Sequence, residues 1–202
     1  VCSGPALLKC YHCAARHYGV AKGSVTATAN WLSSLVERRL VDKFLTVSKA
    51  IAAGNKLQEY GVPYDVVPNF VPDDIATLSA EIDPRLSQLP SEPYLLFVGD
   101  LRPFKGTLVL LEAYQRLHNA PPLVMIGRRC PEMPDVLPAN VHIFESWPHT
   151  AVMHAWNRSL VGLVPSILPE ACATVVMECM GMGKPLVATR IGGTPDLVEE
   201  GS

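Results

Sequence analysis

The sequence predicts an α/β fold with a doubly wound parallel sheet. Two observations carry this. From residue 94 onward, short continuous apolar runs alternate with helical segments, and runs of that kind belong to strands covered on both faces. Hydrophobic residues make up 49% of the chain and charged residues 18%, which is enough apolar material for a core. The 202 residues suit one large domain or two small ones.

The elements follow in order. Residues 1–24 are rich in Cys, His, Gly and Ala without a clear period, and read as a loop with one short helix. Over 24–40, Val25, Ala29, Leu32, Leu35, Val36 and Leu40 recur at spacings of three and four, which predicts a helix. "DKFLTVS" (42–48) is a short strand. "KAIAAGNKLQEYGV" reads as a helix ending near Gly61. Residues 64–71 form a second short strand, broken by Pro68. Residues 73–93 are acidic, hold Pro84, Pro90 and Pro93, and lack apolar periodicity, so a boundary falls here. After it come strand 94–99, helix 107–118, strands 123–127 and 141–145, helix 149–157, strand 160–166, helix 174–182 and strand 185–191, with right-handed crossovers. The expected organisation is a first unit at 1–75, a linker at 76–93 and a second α/β unit at 94–202. Both ends read as cut within structure, so a fragment of a longer protein is expected.

The formal net charge of −2 gives no basic field to recruit nucleic acid. No apolar run approaches the roughly 18 residues of a membrane-spanning helix. Of six cysteines, Cys2, Cys10 and Cys13 cluster near His12 and His17. They read either as a zinc knot or as reduced thiols in a loop, and the lack of a second Cys-x-x-Cys favours thiols. Cys130, Cys172 and Cys179 lie in apolar surroundings and read as small buried hydrophobes.

In an open parallel sheet, ligands bind beyond the carboxyl ends of the strands. Three loops lie there. In "VGDLRPFKG", Gly99 ends a strand, and Arg102 and Lys105 precede a helix. Cations beside a helix N-terminus suit a phosphate or diphosphate; the alternative is an ordinary solvated loop. In "ILPEACA", Glu170 lies at a strand end, and Glu178 lies about one turn into the next helix. A rise of about 1.5 Å per residue returns Glu178 to the same rim, so one pocket with both carboxylates is expected. Carboxylates accept hydrogen bonds from sugar hydroxyls; the alternative is a charge that only complements the helix dipole. Arg128 and Arg129 of the middle loop read as surface charge. His149 and His154 read as surface or packing histidines. Phe144 and Trp147 could stack on a nucleobase or simply pack.

"FVGDLRPFKGTLVLLEAYQRL" and "LVPSILPEACATVVMECMGMGKPLVATRIGGTPDLVEEG" together resemble glycosyltransferase family 4. "FLTVSKAIAAGNKLQEYGVPYDVVPNFV" is similar to the end of that family's first domain. The resemblance implies a GT-B fold with two Rossmann-like domains and a retaining transfer of a sugar from a nucleotide-diphosphate donor to an acceptor hydroxyl. It assigns Glu170 to the donor sugar as the catalytic carboxylate and Glu178 to the ribose. Lys105, with Arg102, falls to the diphosphate; Gly99 and the N–H groups at Ala173 and Thr174 complete the donor site. No metal cofactor is implied. Implied partners are a nucleotide sugar and a glycan or lipid-linked acceptor, as in polysaccharide biosynthesis, with a cytoplasmic and possibly membrane-peripheral location. Three positions depart from the family pattern: Asp100 replaces an arginine, Ala171-Cys172-Ala173 replace Gly-Phe-Gly, and Asp196 replaces a glutamate. The fragment alone is expected to be inactive. Alternatives are a non-catalytic nucleotide-sugar-binding module and a GT-B enzyme of another reaction, such as an epimerase or phosphorylase. A dehydrogenase ranks last, because no Gly-x-Gly-x-x-Gly follows a strand.

Overall fold

The structure is a computed structural model that describes residues 6–78 and 81–199. The chain divides into two compact units, Val1–Pro68 and Asn69–Ser202.

The first unit opens with a helical hairpin, α1 (Leu7–Tyr18) and α2 (Val20–Leu40), joined at Gly19. This differs from the expected loop with one short helix over 1–24, and α2 begins four residues earlier than its period suggested. The reason is close packing of small residues. A Cβ at Gly23 would lie 2.5 Å from the backbone of Ala14, so the two helices touch through their main chains. Ala14 and Gly23 supply no apolar period to read. Cys10 and Cys13 lie on α1 as free thiols, and Cys2 lies outside the described residues.

Strand β1 (Phe44–Thr46) pairs in parallel with β2 (Tyr64–Val66). Between them, Ser48 caps α3 (Lys49–Gly54) by accepting from the Ile51 N–H at 3.3 Å, the usual service of a serine at that position. Residues 55–61 continue as turns rather than helix. Among the described residues, no helix is long and apolar enough to cross a membrane.

The second unit holds a five-stranded parallel sheet in the order β5-β4-β3-β6-β7. Its strands are β3 (Tyr94–Val98), β4 (Leu123–Ile126), β5 (Val141–Phe144), β6 (Ser159–Val164) and β7 (Leu186–Ala188). Helices α4 (Thr107–Gln115), α5 (His149–Arg158) and α6 (Thr174–Gly181) connect them. Side chains alternate across the sheet as a period of two requires. Leu96, Val124 and Ile126 pack with Trp156 and Cys179, while Phe97, Leu123 and Met125 pack with Leu110 and Leu111 of α4. Both faces are therefore covered.

Residues 84–89 hold a short turn packed on the core of the second unit. A 3-10 turn at Pro84–Gln88 buries Leu86, and Leu89 follows it into the core against Trp156. Arg158, at the end of α5, donates to the carbonyls of Leu86 (3.2 Å) and Pro90 (3.0 Å). Pro84 stands at the start of this turn.

The sheet core leaves no room at Gly162. A Cβ there would lie 2.4 Å from the Cys179 Sγ and 2.9 Å from the Trp156 ring. Gly162→Ala should therefore destabilise the unit by about 1–3 kcal/mol through overpacking, measured by urea unfolding; a variant as stable as its parent would contradict the packing. Burial pushes the Cys179 thiol up to about 11, so at pH 8 it stays protonated, and the thiolate is the reactive form. Native-state alkylation at pH 8 should label exposed Cys13 and spare Cys179, with mass spectrometry locating the adducts.

Candidate functional site

The strand order makes a crevice. From β3 the chain moves outward through β4 to β5, then returns to the other side of β3 as β6. Loops after β3 and β6 leave in opposite directions, and in open α/β sheets ligands bind at such a switch point.

The two loops are locked together. Gly106 has φ +77°, and a Cβ there would sit 1.8 Å from the Pro165 carbonyl oxygen. With no side chain in the way, the β3 loop comes against the end of β6. The Phe104 carbonyl then accepts from the N–H groups of Ile167 (3.0 Å) and Leu168 (3.3 Å). Lys105, in the 3-10 turn Pro103–Lys105, reaches across, and its Nζ lies 2.7 Å from Glu170 Oε2. The Ser166 hydroxyl donates to the other oxygen, Oε1. Thr189 Oγ1 holds Ser166 by donating to its carbonyl at 2.6 Å.

Glu170 is also fixed from below. Its carbonyl accepts from the Gly193 N–H at 2.8 Å. Gly192 passes so close, at φ +60°, that a Cβ would meet the Glu170 carbonyl oxygen at 2.3 Å. The "IGG" run thus serves as the floor beneath the carboxylate.

Beside this cluster α6 begins. Ala173 is its N-cap residue and offers no side-chain cap. The first N–H groups of a helix have no intrahelical partner, and they carry partial positive charge. The turn is held by Asn69, whose Nδ2 donates to the Cys172 carbonyl at 3.3 Å. A cavity of about 150 Å³ opens there, lined by Gly99, Lys105, Ser166, Glu170, Ala173 and Thr174 among others. Five of the seven residues expected from sequence thus converge.

The other two stand elsewhere. Arg102 does not line this cavity; its guanidinium lies over the Phe104 ring, 5.8 Å from the centroid, with Nε 3.6 Å from Asp100 Oδ2. Glu178 does not line it either, which corrects the expectation of one pocket with two carboxylates. As the fifth residue of α6 it faces α5. There His149 Nε2 lies 3.2 Å from Oε1, and the Trp156 indole N–H donates to Oε2 at 3.4 Å. Sequence reasoning missed His149: its partner is 29 residues away on another helix, and no local pattern signals the pair.

Asp100, at the place of a family arginine, is paired. Arg128 donates to its Oδ2 at 2.8 Å, which raises the pKa of the guanidinium further. Arg128 is thus an exposed surface charge that pairs with Asp100. Arg129 is held by a main-chain bond to Glu145 and a side-chain bond to the Pro134 carbonyl. Among the described residues, no group of three or more His, Cys, Asp or Glu is placed to hold a metal ion.

An ammonium, a helix N-terminus and a fixed carboxylate around one small cavity can grip an anion and hydroxyls at once. Residues 92–202 match the family model described as glycosyl transferases group 1. The chain belongs to this family. It is 28% identical over 77% of its length to the D-inositol 3-phosphate glycosyltransferase of Segniliparus rotundus, of which it spans 39%. It is 30% identical over 52% of its length to the enzyme of the same name from Corynebacterium glutamicum, of which it spans 29%. The structure resembles HepE of Anabaena, solved in complex with UDP-glucose, with a TM-score of 0.64 and 20% identity over 86% of this chain and 52% of that one. It also resembles sucrose-phosphate synthase of Thermosynechococcus elongatus, with a TM-score of 0.65 and 21% identity over 85% of this chain and 46% of that one. The fold is of the GT-B type, with parallel Rossmann-like sheets. As a member of the group 1 glycosyl transferases, the chain keeps the Glu-seven-residue-Glu spacing but points its two carboxylates at different neighbours.

The close approach at Gly106 can be separated from its backbone conformation. Gly183 also has positive φ, +65°, but nothing lies within 4 Å of its Cβ position. Gly183→Ala should cost about 1–2 kcal/mol from the left-handed conformation alone, and Gly106→Ala about 1–3 kcal/mol more from the clash. Equal losses in urea unfolding would show that the two loops need not touch.

Proposed function

We propose that the protein is a retaining glycosyltransferase that moves a sugar from a nucleotide-diphosphate donor to an acceptor hydroxyl. The convergence of Lys105, Glu170 and the open N-terminus of α6 on one cavity at the sheet's switch point carries this reading. The diphosphate takes Lys105 and the N–H groups at Ala173 and Thr174, with Arg102 swinging in from the loop. Gly99, lacking a side chain, admits the phosphate to the end of β3. Glu170 accepts from hydroxyls of the donor sugar, and Glu178 from those of the ribose.

The difficult step is departure of the diphosphate, as negative charge builds on its oxygens. Lys105 and the helix N-terminus are positioned before the reaction begins, which is electrostatic preorganisation. The Glu170 carboxylate eases positive charge growing at the sugar ring. In this reading Lys105 changes partner: its ammonium has three N–H donors, so it can take a phosphate oxygen while keeping one bond to Glu170.

A UDP-sugar is the favoured donor, since HepE was solved with UDP-glucose and with UDP. The acceptor is a hydroxyl on a glycan or lipid-linked molecule, reached in the cytoplasm at the inner membrane face. The resemblance to glycosyltransferase family 4 supports both statements.

Calorimetric titration of the full chain with UDP, GDP and ADP tests the donor site. Lys105→Ala should weaken diphosphate binding about ten- to a hundredfold, as expected for losing a hydrogen bond to a charged group worth about 1.5–3 kcal/mol. Glu170→Ala should keep UDP affinity within about threefold, because its partner is the sugar. Unchanged diphosphate affinity in Lys105→Ala would sink the assignment.

A further inference from the structure

The loop after β3 carries more charge than the Lys105–Glu170 pair uses. Leu101 is fully buried, and its N–H donates to the Arg128 carbonyl at 2.9 Å. A tight turn closes around it, in which the Arg102 N–H donates to the Asp100 carbonyl at 2.9 Å. With Leu101 in the core, the side chains on either side of it, Asp100 and Arg102, are left partly exposed, at 37% and 42%. Arg128 joins them from the end of β4. It donates to Asp100 Oδ2 at 2.8 Å, while Arg102 Nε lies 3.6 Å from the same oxygen. Two guanidiniums thus share one carboxylate oxygen, and they share it unequally. Arg128 makes a hydrogen bond. Arg102, at 3.6 Å, makes only an ion pair, and its Nε is shielded from solvent without a hydrogen-bond partner. A shielded donor without an acceptor is unfavourable. Arg102 is therefore the loosely held cation of the cluster, with a donor to spare, and in the chain it lies between Gly99 and Lys105, which both line the cavity.

We propose that Asp100 sets the affinity of the donor site by standing in for the diphosphate at Arg102, which it yields to the diphosphate when the donor binds. This rests on the reading of the chain as a nucleotide-sugar transferase with Arg102 at the diphosphate. The exchange leaves no charge stranded, because Asp100 keeps its hydrogen bond to Arg128 after Arg102 moves away. Arg102 trades a long contact with a single negative charge for a hydrogen bond to a phosphate oxygen, and a bond between two charged groups is the stronger kind. Two effects oppose the trade. The ion pair to Asp100 must open, and the Asp100 carboxylate repels the arriving phosphates. Asp100 thus lowers the affinity of the site for a nucleoside diphosphate, and it does so mainly through one named arginine. An ordinary solvated ion pair contributes little and would leave the ligand's affinity independent of which arginine is present.

The test is calorimetric titration of the full chain with UDP, GDP and ADP, for the wild type, Asp100→Asn, Arg102→Ala and the double variant, with thermal melts to establish that each is folded. Asp100→Asn keeps the shape of the side chain and removes its charge. It should tighten diphosphate binding about three- to tenfold, the scale of one exposed ion pair released and one repulsive charge removed. Asp100→Ala, a second neutral variant, should match it. Arg102→Ala should weaken binding about tenfold, as for a lost hydrogen bond to a charged group. In the Arg102→Ala background, Asp100→Asn should gain less than about twofold, because the cation it frees is gone. An equal gain with and without Arg102 would make Asp100 a distant charge only and overturn the competition. Binding that is unchanged or weaker in both neutral variants overturns it too. In either case Lys105→Ala still reports on the diphosphate, so the donor site is judged separately. Binding by Asp100→Asn where the wild type shows none supports both readings. If no nucleoside diphosphate binds either folded protein, both fall.

Discussion

The candidate site depends on one missing side chain. Gly106 lets the loop after β3 press its backbone against the Pro165 carbonyl at the end of β6. A larger residue would hold the loops apart, and the Phe104 carbonyl would lose its bonds to Ile167 and Leu168. Lys105 follows directly on Phe104, so its reach to Glu170 depends on the same approach. Gly192 makes a matching approach beneath Glu170. Two glycines, Gly106 and Gly192, far apart in sequence, thus set where one ammonium and one carboxylate meet. Only glycine tolerates both the left-handed backbone and the proximity.

How much of this the sequence displays depends on the range of the forces involved. Strands β3 and β4 are legible because burial on both faces demands continuous apolar runs, and helices α4 to α6 are legible from the alternation itself. Most of α2 is legible from its apolar period, but α1 and the start of α2 are not, because Ala14 and Gly23 meet through backbone contact and small residues mark no stripe. The docked turn at 84–88 is hidden as well, since prolines and acidic residues also mark linkers; only the buried Leu86 and Leu89, and the Leu86 and Pro90 carbonyls bound by a distant arginine, distinguish it. At the site, chemistry was legible where a loop collects it. Gly99, Lys105, Glu170, Ala173 and Thr174 meet as the strand-end rule requires. The direction of a helical side chain was not. Helical rise places Glu178 near the rim, but its rotation about the axis turns it toward α5, and whether anything waits there is a tertiary fact.

Charge at the site is balanced internally. Glu170 answers Lys105, and Asp100 answers Arg128 while lying near Arg102. Partly buried charges are costly without partners, so an unliganded site of this kind must supply its own counter-ions. The substitution of an acidic residue at position 100 is consistent with that need: the following loop carries two cations, and Arg128 adds a third from the neighbouring strand end. An arriving diphosphate on the proposed reading exchanges one set of partners for another rather than entering an empty positive field. Affinity then reflects the difference between the two sets.

The two glutamates can now be set against each other as physical environments. Glu170 has an ammonium and a hydroxyl as partners, on a loop whose backbone is clamped from two sides. Glu178 has an indole and an imidazole, and its backbone is fixed by a helix. A carboxylate held by an ammonium has its charge compensated, which suits a position beside a reacting centre where positive charge comes and goes. A carboxylate beside an indole and an imidazole has a different set of partners, set by the packing of two helices. On this argument the seven-residue spacing is a structural requirement rather than a pairing. It places one carboxylate on the loop ahead of the α6 N-terminus and the other a full turn inside the helix. The two carboxylates thus have separate surroundings.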